Sequence, residues 1–573
     1  MPPTSRPSAP DDTPGFIAAL RRCVGDRHVL TRPAATARYR RGYRFGEGKV
    51  LAVVRPGSLV EQWRVLQACA AAGKIVLMQA ANTGLTGGST PHGDDYDRDI
   101  VIISTLRLTG VHLIDSGRQV VCLPGSTLDT LETMLKPLGR EPHSVIGSSC
   151  IGASVVGGVC NNSGGSLVQR GPAYTELALF GRIDAAGQVE LINHLGIALG
   201  PDAETILKRV EAGDFTDADV VHDPARAASD SGYAARIRDI DADTPARFNA
   251  DPDRLFEASG SAGKVMVFAV RLDTFAKQAG AKTFYIGANN TQTLTRIRRE
   301  ILGGFASLPV AAEYMHRDCY DIARTYGKDT FLAIRILGVG SIRHIAGAKA
   351  RIDALCRNLR WAPAYLSDRL AQLVGSLFPN HLPERMEQYR DRYEHHLMLK
   401  MSADGVDEAR RYLDQALDGD DAAFFECSDD EGAKAFLHRF AAAGAAVRYR
   451  AIHHREVSDI VALDIALRRN DQDWMEQLPD DLAAPILHKL YYGHFFCHVF
   501  HQDYIVAKGH DPMALEHRML ELQNQRGARY PAEHNVGHLY EADTAQKAHF
   551  KALDPCNCFN PGIGHTSRKA EWV

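Results

Sequence analysis

The sequence predicts an α+β fold made of two successive α+β units. Its 573 residues exceed what one hydrophobic core normally organises, since a domain has roughly 100–200 residues. Up to about residue 275, apolar strands, helices and Gly-rich loops follow one another without the regular strand–helix–strand repeat of a parallel sheet. Beyond about residue 280, strands alternate with helices in a pattern that favours an antiparallel sheet.

Short apolar runs define the strands of the first unit. They cover residues 51–55, 75–79, 100–104, 119–123 and 264–272. We expect the last of these strands to close the unit. Leu59, Trp63 and Leu66 recur at helical spacing, and a second helix is predicted near residues 128–138.

The second unit begins after residue 280. Its predicted strands cover residues 282–287, 395–401, 422–427 and 446–453, and a helix is predicted over 456–469. We therefore expect one domain over residues 1–275, completed by residues 515–573. A second, cap-like domain occupies residues 280–514.

An insertion over residues 315–392 of the second unit is unusually basic. Residues 341–385 carry seven Lys or Arg against three acidic residues, interleaved with Leu, Trp, Tyr and Phe. Such a mixture suits a membrane surface, where basic groups meet anionic lipid and aromatic rings lie at the headgroup level. An ordinary solvated helical insertion is the alternative.

Composition excludes several classes of protein. The net charge of −4 gives no basic excess for binding nucleic acid. The eleven cysteines include no CxxC pair, so we interpret them as reduced thiols rather than as zinc ligands or a redox pair. Residues 1–15 lack the charged-then-apolar order of a secretory signal.

A Gly-rich loop over residues 80–89 (AANTGLTGGS) follows a predicted strand. Glycines let backbone N–H groups approach a pyrophosphate, and Asn, Thr and Ser add uncharged donors. The loop is neither a Walker loop nor the GxGxxG fingerprint of nicotinamide enzymes, which argues against NAD. Taken alone, it could be a turn that merely connects two strands.

A second loop region supports the ligand hypothesis. Residues 144–169 carry no charge and are long enough to span a bilayer, but their six Gly, six Ser and two Asn would form a poor apolar helix. We interpret them as backbone that approaches a ligand. Two such loops in one domain predict a dinucleotide site.

These motifs resemble those of a known family. ANTGLTGGS, GSSCIGASVVGGVCNNSGG and the C-terminal NPGIG resemble the FAD-contacting segments of vanillyl-alcohol-oxidase-type flavoproteins. QRGPAYTE, FNADPDRLFE, KLYYGH and RYPAEHNVGHLY extend the resemblance to the quinone-dependent D-lactate dehydrogenases. It implies a two-subdomain FAD-binding domain, and an α+β cap with an antiparallel sheet and a basic helical insertion facing a membrane.

The resemblance also implies which residues hold FAD, which we expect to be bound non-covalently. In the first loop they are Ala80, Ala81, Asn82, Thr83, Gly84, Gly88 and Ser89. In the rest of the domain they are Gly147, Ser154, Gly164 and Val267.

A C-terminal cluster carries the predicted chemistry. His494 and His501 are seven residues apart, and Glu533 precedes His534. Related 2-hydroxy acid dehydrogenases use the spaced histidines and the Glu for a divalent metal, and the following His as general base. Here Phe495–Phe500 replaces their Gly-Asp-Gly-Asn pattern and Asn follows the Glu-His pair, so the metal stays open.

Oxidation of a 2-hydroxy acid removes the hydroxyl proton and the Cα hydride, and an imidazole suits the proton transfer. We predict His534 as the base, although histidines in so aromatic a segment are often core residues. Arg439 aligns with the family's carboxylate-binding Arg, with an exposed helix arginine as the alternative. An Arg there would bind a carboxylate through two parallel hydrogen bonds.

We therefore expect a peripheral flavoenzyme at the cytoplasmic face of the inner membrane. It would oxidise D-lactate and pass electrons through FAD to a membrane quinone, with its basic insertion on an anionic surface. A dehydrogenase of another D-2-hydroxy acid, such as D-2-hydroxyglutarate, and a non-catalytic flavin-binding module are the alternatives.

Overall fold

A computed structural model describes residues 12–143, 151–338, 340, 345, 349, 365–417 and 421–572. Gly147 and four of the seven basic residues of 341–385 lie outside these ranges. The α+β prediction is confirmed: in the described residues, a four-stranded, a five-stranded and a two-stranded sheet with their helices precede residue 277, and a seven-stranded sheet follows.

The first half contains eleven strands among the described residues. They are β1 (Val29–Leu30), β2 (Ala52–Val54), β3 (Ile75–Gln79), β4 (Ile100–Ser104), β5 (Val111–Ile114), β6 (Gln119–Cys122), β7 (Arg140–Glu141), β8 (Ala178–Ile183), β9 (Val189–Asn193), β10 (Met266–Asp273) and β11 (Phe275–Ala276). The helices are α1 (Thr13–Val24), α2 (Pro33–Thr36), α3 (Leu59–Ala71), α4 (Leu128–Leu135), α5 (Val155–Cys160), α6 (Ala203–Ala212) and α7 (Tyr233–Arg238).

Nine of these strands form two packed sheets, and β7 and β11 pair as a separate two-stranded sheet. The first sheet has the order β1-β2-β4-β3, with β2, β4 and β3 parallel. The second is antiparallel, in the order β5-β6-β10-β8-β9. Strand β10 was expected to close the unit but lies at the centre of this sheet, because its apolar residues are buried on both faces. Leu66 and Trp63 of α3 pack with Phe268 of β10 in one core.

The second half supplies the remaining strands and helices. The strands are β12 (Lys282–Ala288), β13 (Ala311–His316), β14 (His395–Met401), β15 (Ala422–Glu426), β16 (Val457–Ala466), β17 (Ile486–His494) and β18 (Val499–Ala507). The helices are α8 (Thr291–Gly304), α9 (Arg317–Tyr326), α10 (Lys328–Leu337), α11 (Leu366–Ser376), α12 (Glu384–Arg392), α13 (Ala403–Ala416), α14 (Asp429–Ile452), α15 (Asp480–Ala483), α16 (Pro512–Gln525) and α17 (Thr544–Leu553).

One antiparallel sheet organises this half, in the order β15-β12-β14-β13-β17-β18-β16. Helices α8, α13 and α16 contribute to the apolar core on one face. Helices α9 and α14 contribute to the core on the other face. The antiparallel cap sheet predicted from the sequence is therefore present.

Two predicted elements are wrong. Residues 446–453 were expected to form a strand but belong to the last turns of α14, which begins at the capping box of Ser428 and Glu431. Its run of alanines favours a helix over the short β-like pattern at its end. Residues 456–469 were expected to form a helix but contain β16. A register shift between Val457 and Ile460 gives its apolar residues a spacing that resembles a helix.

The end of the chain returns to the first half. The Val76 N–H donates to the carbonyl of Cys558 at 2.9 Å, and the Asn560 N–H donates to the carbonyl of Val76 at 3.0 Å. The Asn560 side chain donates to the carbonyls of Gly88 and Ala262. The predicted NPGIG motif thus lies against β3 and the first Gly-rich loop.

Helices α9 to α12 lie between β13 and β14, where the insertion was predicted. Their surface carries a set of exposed apolar side chains, which we call the apolar face: Ile336, Leu337, Tyr365, Leu370, Leu373, Val374, Leu377 and Phe378. Among the described residues, none of the helices is both long enough and apolar enough to cross a bilayer.

Candidate active site

The first Gly-rich loop leaves the end of β3 and is shaped by its own polar groups. The Gln79 amide donates to the carbonyls of Tyr39 and Ser89, at 2.8 Å each. The Ser89 hydroxyl donates to Asn82 Oδ1 at 3.0 Å, and Asn82 has a left-handed φ of 54°. A Cβ on exposed Gly84 would meet nothing within 4 Å. The backbone at Gly84 is therefore open to a ligand.

The same loop is fastened to the segment that follows the predicted base. Thr86 Oγ1 donates to the carbonyl of Asn535 at 2.7 Å, and the His538 N–H donates to the carbonyl of Thr86 at 2.9 Å. A Cβ on Gly88 would lie 2.5 Å from the Asn535 amide nitrogen. Glycine at that position permits this close approach.

The second loop reaches the same region. Ser154 caps α5 by accepting from the Gly157 N–H at 3.0 Å, and Val267 is buried in β10. A Cβ on Gly164 would lie 2.5 Å from Glu533 Oε1, so only glycine leaves room for that carboxylate. Of the predicted residues of this region, Gly147 lies outside the described ranges.

The four predicted C-terminal residues come together. His494 ends β17, His501 lies on β18, and Glu533 and His534 lie on the loop beyond α16. His494 Nδ1 is 2.6 Å from Glu313 Oε1, and its Nε2 is 3.2 Å from Glu533 Oε2. His501 Nε2 is 3.8 Å from the same Glu533 oxygen.

The charges of this cluster stabilise one another. Burial alone would lower the pKa of His494, but the carboxylates of Glu313 and Glu533 raise it to about 10. Burial would raise the pKa of Glu533, but His494 and Arg247 hold it well below its usual value. His494 is thus an imidazolium held between two carboxylates.

Two buried arginines complete the charge balance. Arg439 Nη2 lies 2.9 Å from Glu313 Oε2, and its guanidinium stacks over the Tyr492 ring at 4.6 Å. Arg247 Nη2 donates to Glu533 Oε1 at 2.6 Å. The alternative that Arg439 is an exposed helix arginine is wrong, since the residue is 9% exposed.

His534 has a different environment. Its Nδ1 is 2.7 Å from Asp464 Oδ2, and its side chain is 32% exposed. Burial would lower its pKa, but the Asp464 carboxylate raises it. For His501, burial dominates and lowers the pKa to about 4.

A metal site was left open by the sequence. The ligand atoms of His494, His501 and Glu533 lie within 4.8 Å of one another, which brings two imidazoles and a carboxylate within reach of one ion. However, both nitrogens of His494 face carboxylates, and the Glu533 oxygens face Arg247 and His494. In this ion-free arrangement His494 is protonated, and a divalent ion would have to displace that proton to bind the three side chains.

Sequence reasoning missed Glu313, Arg247 and Asp464. Glu313 lies on β13 and Asp464 on β16, both in apolar strands, and the order of residues along the chain gives no sign that they meet the histidines. The sequence nevertheless holds one signal: a lone acid in a run such as IVALDIA needs a buried partner.

Two family models match the chain. One is described as "FAD binding domain" and matches residues 50–190. The other is described as "D-lactate dehydrogenase, membrane binding" and matches residues 283–572. Both agree with the FAD and membrane predictions.

Curated relatives match end to end. The chain is 60% identical over 561 residues to the quinone-dependent D-lactate dehydrogenase of Escherichia coli (strain K12), covering 98% of both chains. It is 55% identical to the Haemophilus influenzae protein of the same name, covering 97% of this chain and 99% of that one.

Solved structures show a similar fold. A p-cresol methylhydroxylase with substrate bound has a TM-score of 0.59 at 11% identity, covering 98% of both chains. An alkyldihydroxyacetonephosphate synthase has a TM-score of 0.58 at 11% identity, covering 97% of this chain and 86% of that one. At this identity the likeness concerns the fold alone, and it agrees with the predicted flavoprotein fold.

Proposed function

This chain belongs to the family of quinone-dependent D-lactate dehydrogenases, and we propose that it oxidises D-lactate to pyruvate and delivers the electrons through FAD to a membrane quinone. The observation that supports this most directly is the position of His534. Its partly exposed imidazole lies on the segment that is fastened to the first Gly-rich loop through Asn535 and Thr86. The predicted base and the predicted flavin loop are therefore linked through adjacent residues.

The residues of the cluster have distinct roles in this proposal. His534 takes the hydroxyl proton of the substrate, because it is the most accessible imidazole of the cluster. Bound FAD, held non-covalently by the two Gly-rich loops, supplies the acceptor for the Cα hydride. The His494 imidazolium and Arg439 lie in the same cluster and provide positive charge near a carboxylate substrate.

The membrane role is proposed for the apolar face. Eight large apolar side chains of this segment are exposed, and the two helices that carry most of them, α10 and α11, contact each other. Exposed apolar surface of this kind marks interaction sites. The basic residues of 341–385 add attraction to anionic headgroups. We place the protein at the cytoplasmic face of the inner membrane, attached from the surface.

An anaerobic absorption spectrum tests the function. The purified protein should show an oxidised flavin band that bleaches on addition of D-lactate and stays unchanged with L-lactate. A much faster bleaching by D-2-hydroxyglutarate would contradict the substrate assignment. His534→Gln should keep the flavin content while slowing bleaching by roughly 10²-fold or more, the usual scale for a lost general base. Unchanged bleaching in that variant would contradict the proposed role of His534.

A further inference from the structure

We propose that Asp464 is the positioning residue of His534, and that it makes His534 Nε2 the atom that accepts the substrate proton. This inference rests on the proposed function and adds to it. It assigns one nitrogen of the imidazole that the sequence predicted as the base. It also gives a role to a buried acid near the C-terminal end of β16.

The first step of the argument is the set of hydrogen bonds to one oxygen. Asp464 Oδ2 accepts the backbone N–H of Glu533 at 2.7 Å and that of His534 at 3.2 Å. The same oxygen lies 2.7 Å from His534 Nδ1. An ionised carboxylate can only accept, so Nδ1 carries the proton and the lone pair of the neutral ring lies on Nε2.

The second step is the exclusion of the other two imidazoles. His494 directs both ring nitrogens at carboxylates, at 2.6 and 3.2 Å, and so has no lone pair to offer. Both nitrogens of His501 also face carboxylates: Nδ1 lies 3.5 Å from Asp464 Oδ1, and Nε2 lies 3.8 Å from Glu533 Oε2. Among the described residues, none hydrogen-bonds to Nε2 of His534.

The third step is accessibility. The His534 side chain is 32% exposed, against 11% for His494 and 17% for His501. A substrate hydroxyl can reach this ring more easily than the other two. A base must lie within hydrogen-bond reach of the proton that it takes, so accessibility and the free lone pair select the same atom.

The fourth step is rigidity. Asp464 pairs with His501 of the neighbouring strand β18, and its own carbonyl accepts the Ala532 N–H at 3.0 Å. The backbones of Ala466 and Arg529 exchange two further hydrogen bonds, at 2.8 and 2.9 Å. Strand β16 thus fixes the backbone of the segment that leads to His534, and the Asp464 carboxylate sets the orientation of the imidazole ring.

Asp464→Asn tests the proposal. The amide keeps the size of the side chain but loses the charge, and its NH₂ group can force the wrong His534 tautomer. We expect the rate constant of flavin reduction at saturating D-lactate to fall by roughly 10²-fold or more, the scale of general-base loss. The dissociation constant for D-lactate should change less than about threefold, because His534 is not its carboxylate partner.

Matched variants separate positioning from folding. Asp459→Asn makes the same change on the same strand, at an acid paired with Arg450 outside the cluster, and should reduce flavin at the wild-type rate. Asp464→Glu keeps a carboxylate and should recover part of the rate. FAD content should stay near wild type in all three variants, which shows that each of them folds.

A double-mutant cycle gives the decisive result. If Asp464 acts through His534, adding Asp464→Asn to His534→Gln should slow reduction no further. A further loss of tenfold or more in the double variant would overturn the proposal, as would a single Asp464→Asn variant with normal reduction. A wild-type protein that D-lactate fails to reduce would instead refute the proposed substrate, and the cycle would then be measured with the hydroxy acid that does reduce it.

Discussion

At the scale of residues, the candidate active site is a buried group of charges that nearly cancel. Arg247, Arg439 and the His494 imidazolium face the carboxylates of Glu313 and Glu533. Removing one partner of a buried pair leaves an uncompensated charge, which typically costs about 3–5 kcal/mol. The cluster therefore depends on each of its members for stability as well as for any chemistry.

The charge on His494 makes a pH-dependent contribution to stability. Its folded pKa of about 10 lies above the unfolded value of about 6.5. The stabilisation is present in full below about pH 6.5 and declines as pH rises toward 10, by about 1.4 kcal/mol per pH unit at most. We expect His494→Gln to lower the thermal midpoint strongly at pH 6.5 and much less at pH 9.5.

Thermal unfolding of wild type and variant across this pH range checks the expectation. His517→Gln, at an exposed position on α16, serves as the control and should track the wild type at every pH. A deficit for His494→Gln that grew with rising pH would contradict the assigned imidazolium.

At the scale of elements, the sequence predicted the strands whose local residue pattern is sufficient to identify them. Strands β3, β4 and β14 match their predicted bounds, because each is a short apolar run flanked by polar residues. The Glu533-His534 pair and the spaced histidines were visible as local patterns. Glu313 and Asp464 were not, since only the pairing of distant strands brings them to the histidines.

The error over residues 446–469 has a further consequence for the site. An acid at position 464 of a helix would be interpreted as a solvated side chain, whereas on β16 it faces His534. Tertiary pairing overrides local spacing here, as is common for β-strands. Because a helix was predicted over these residues instead of strand β16, the residue pattern did not indicate that Asp464 contacts His534.

The contact between the first Gly-rich loop and the segment after His534 depends on Gly537. This residue has a φ of 60°, and a Cβ there would overlap with the carbonyl oxygen of Thr86. We expect Gly537→Ala to displace the loop and to lower the FAD bound per protein at least severalfold, measured by the ratio of flavin to protein absorbance.

Gly73→Ala is the matched control for that change. Gly73 has a φ of 61°, but a Cβ there would meet nothing within 4 Å, so the variant suffers only the backbone strain of about 1–2 kcal/mol. If both variants lost FAD equally, strain rather than the contact with Thr86 would be responsible.

At the scale of the whole molecule, the apolar face and the active site belong to the same half of the chain. We expect the triple variant Leu373→Ser, Leu377→Ser and Phe378→Ser to bind liposomes roughly 10²-fold more weakly or worse. Each of these side chains contributes on the order of 1.5 kcal/mol or more when it leaves water. Flotation with vesicles that contain anionic lipid measures the binding.

The control for this experiment is Val221→Ser, which removes an exposed apolar side chain of the first half. Val221→Ser should float with the vesicles to the same extent as the wild type. The flavin band of the triple variant should still bleach on addition of D-lactate. Undiminished flotation of the triple variant would contradict the proposed attachment surface.

The return of the chain to β3 has a consequence for synthesis in the cell. Val76 is hydrogen-bonded to Cys558 and Asn560, and the first Gly-rich loop is hydrogen-bonded to His538, so the predicted flavin loop lacks these contacts until the last residues of the chain have been made. Because the chain is made from its N-terminus, we expect stable loading with FAD to be deferred until synthesis is nearly finished.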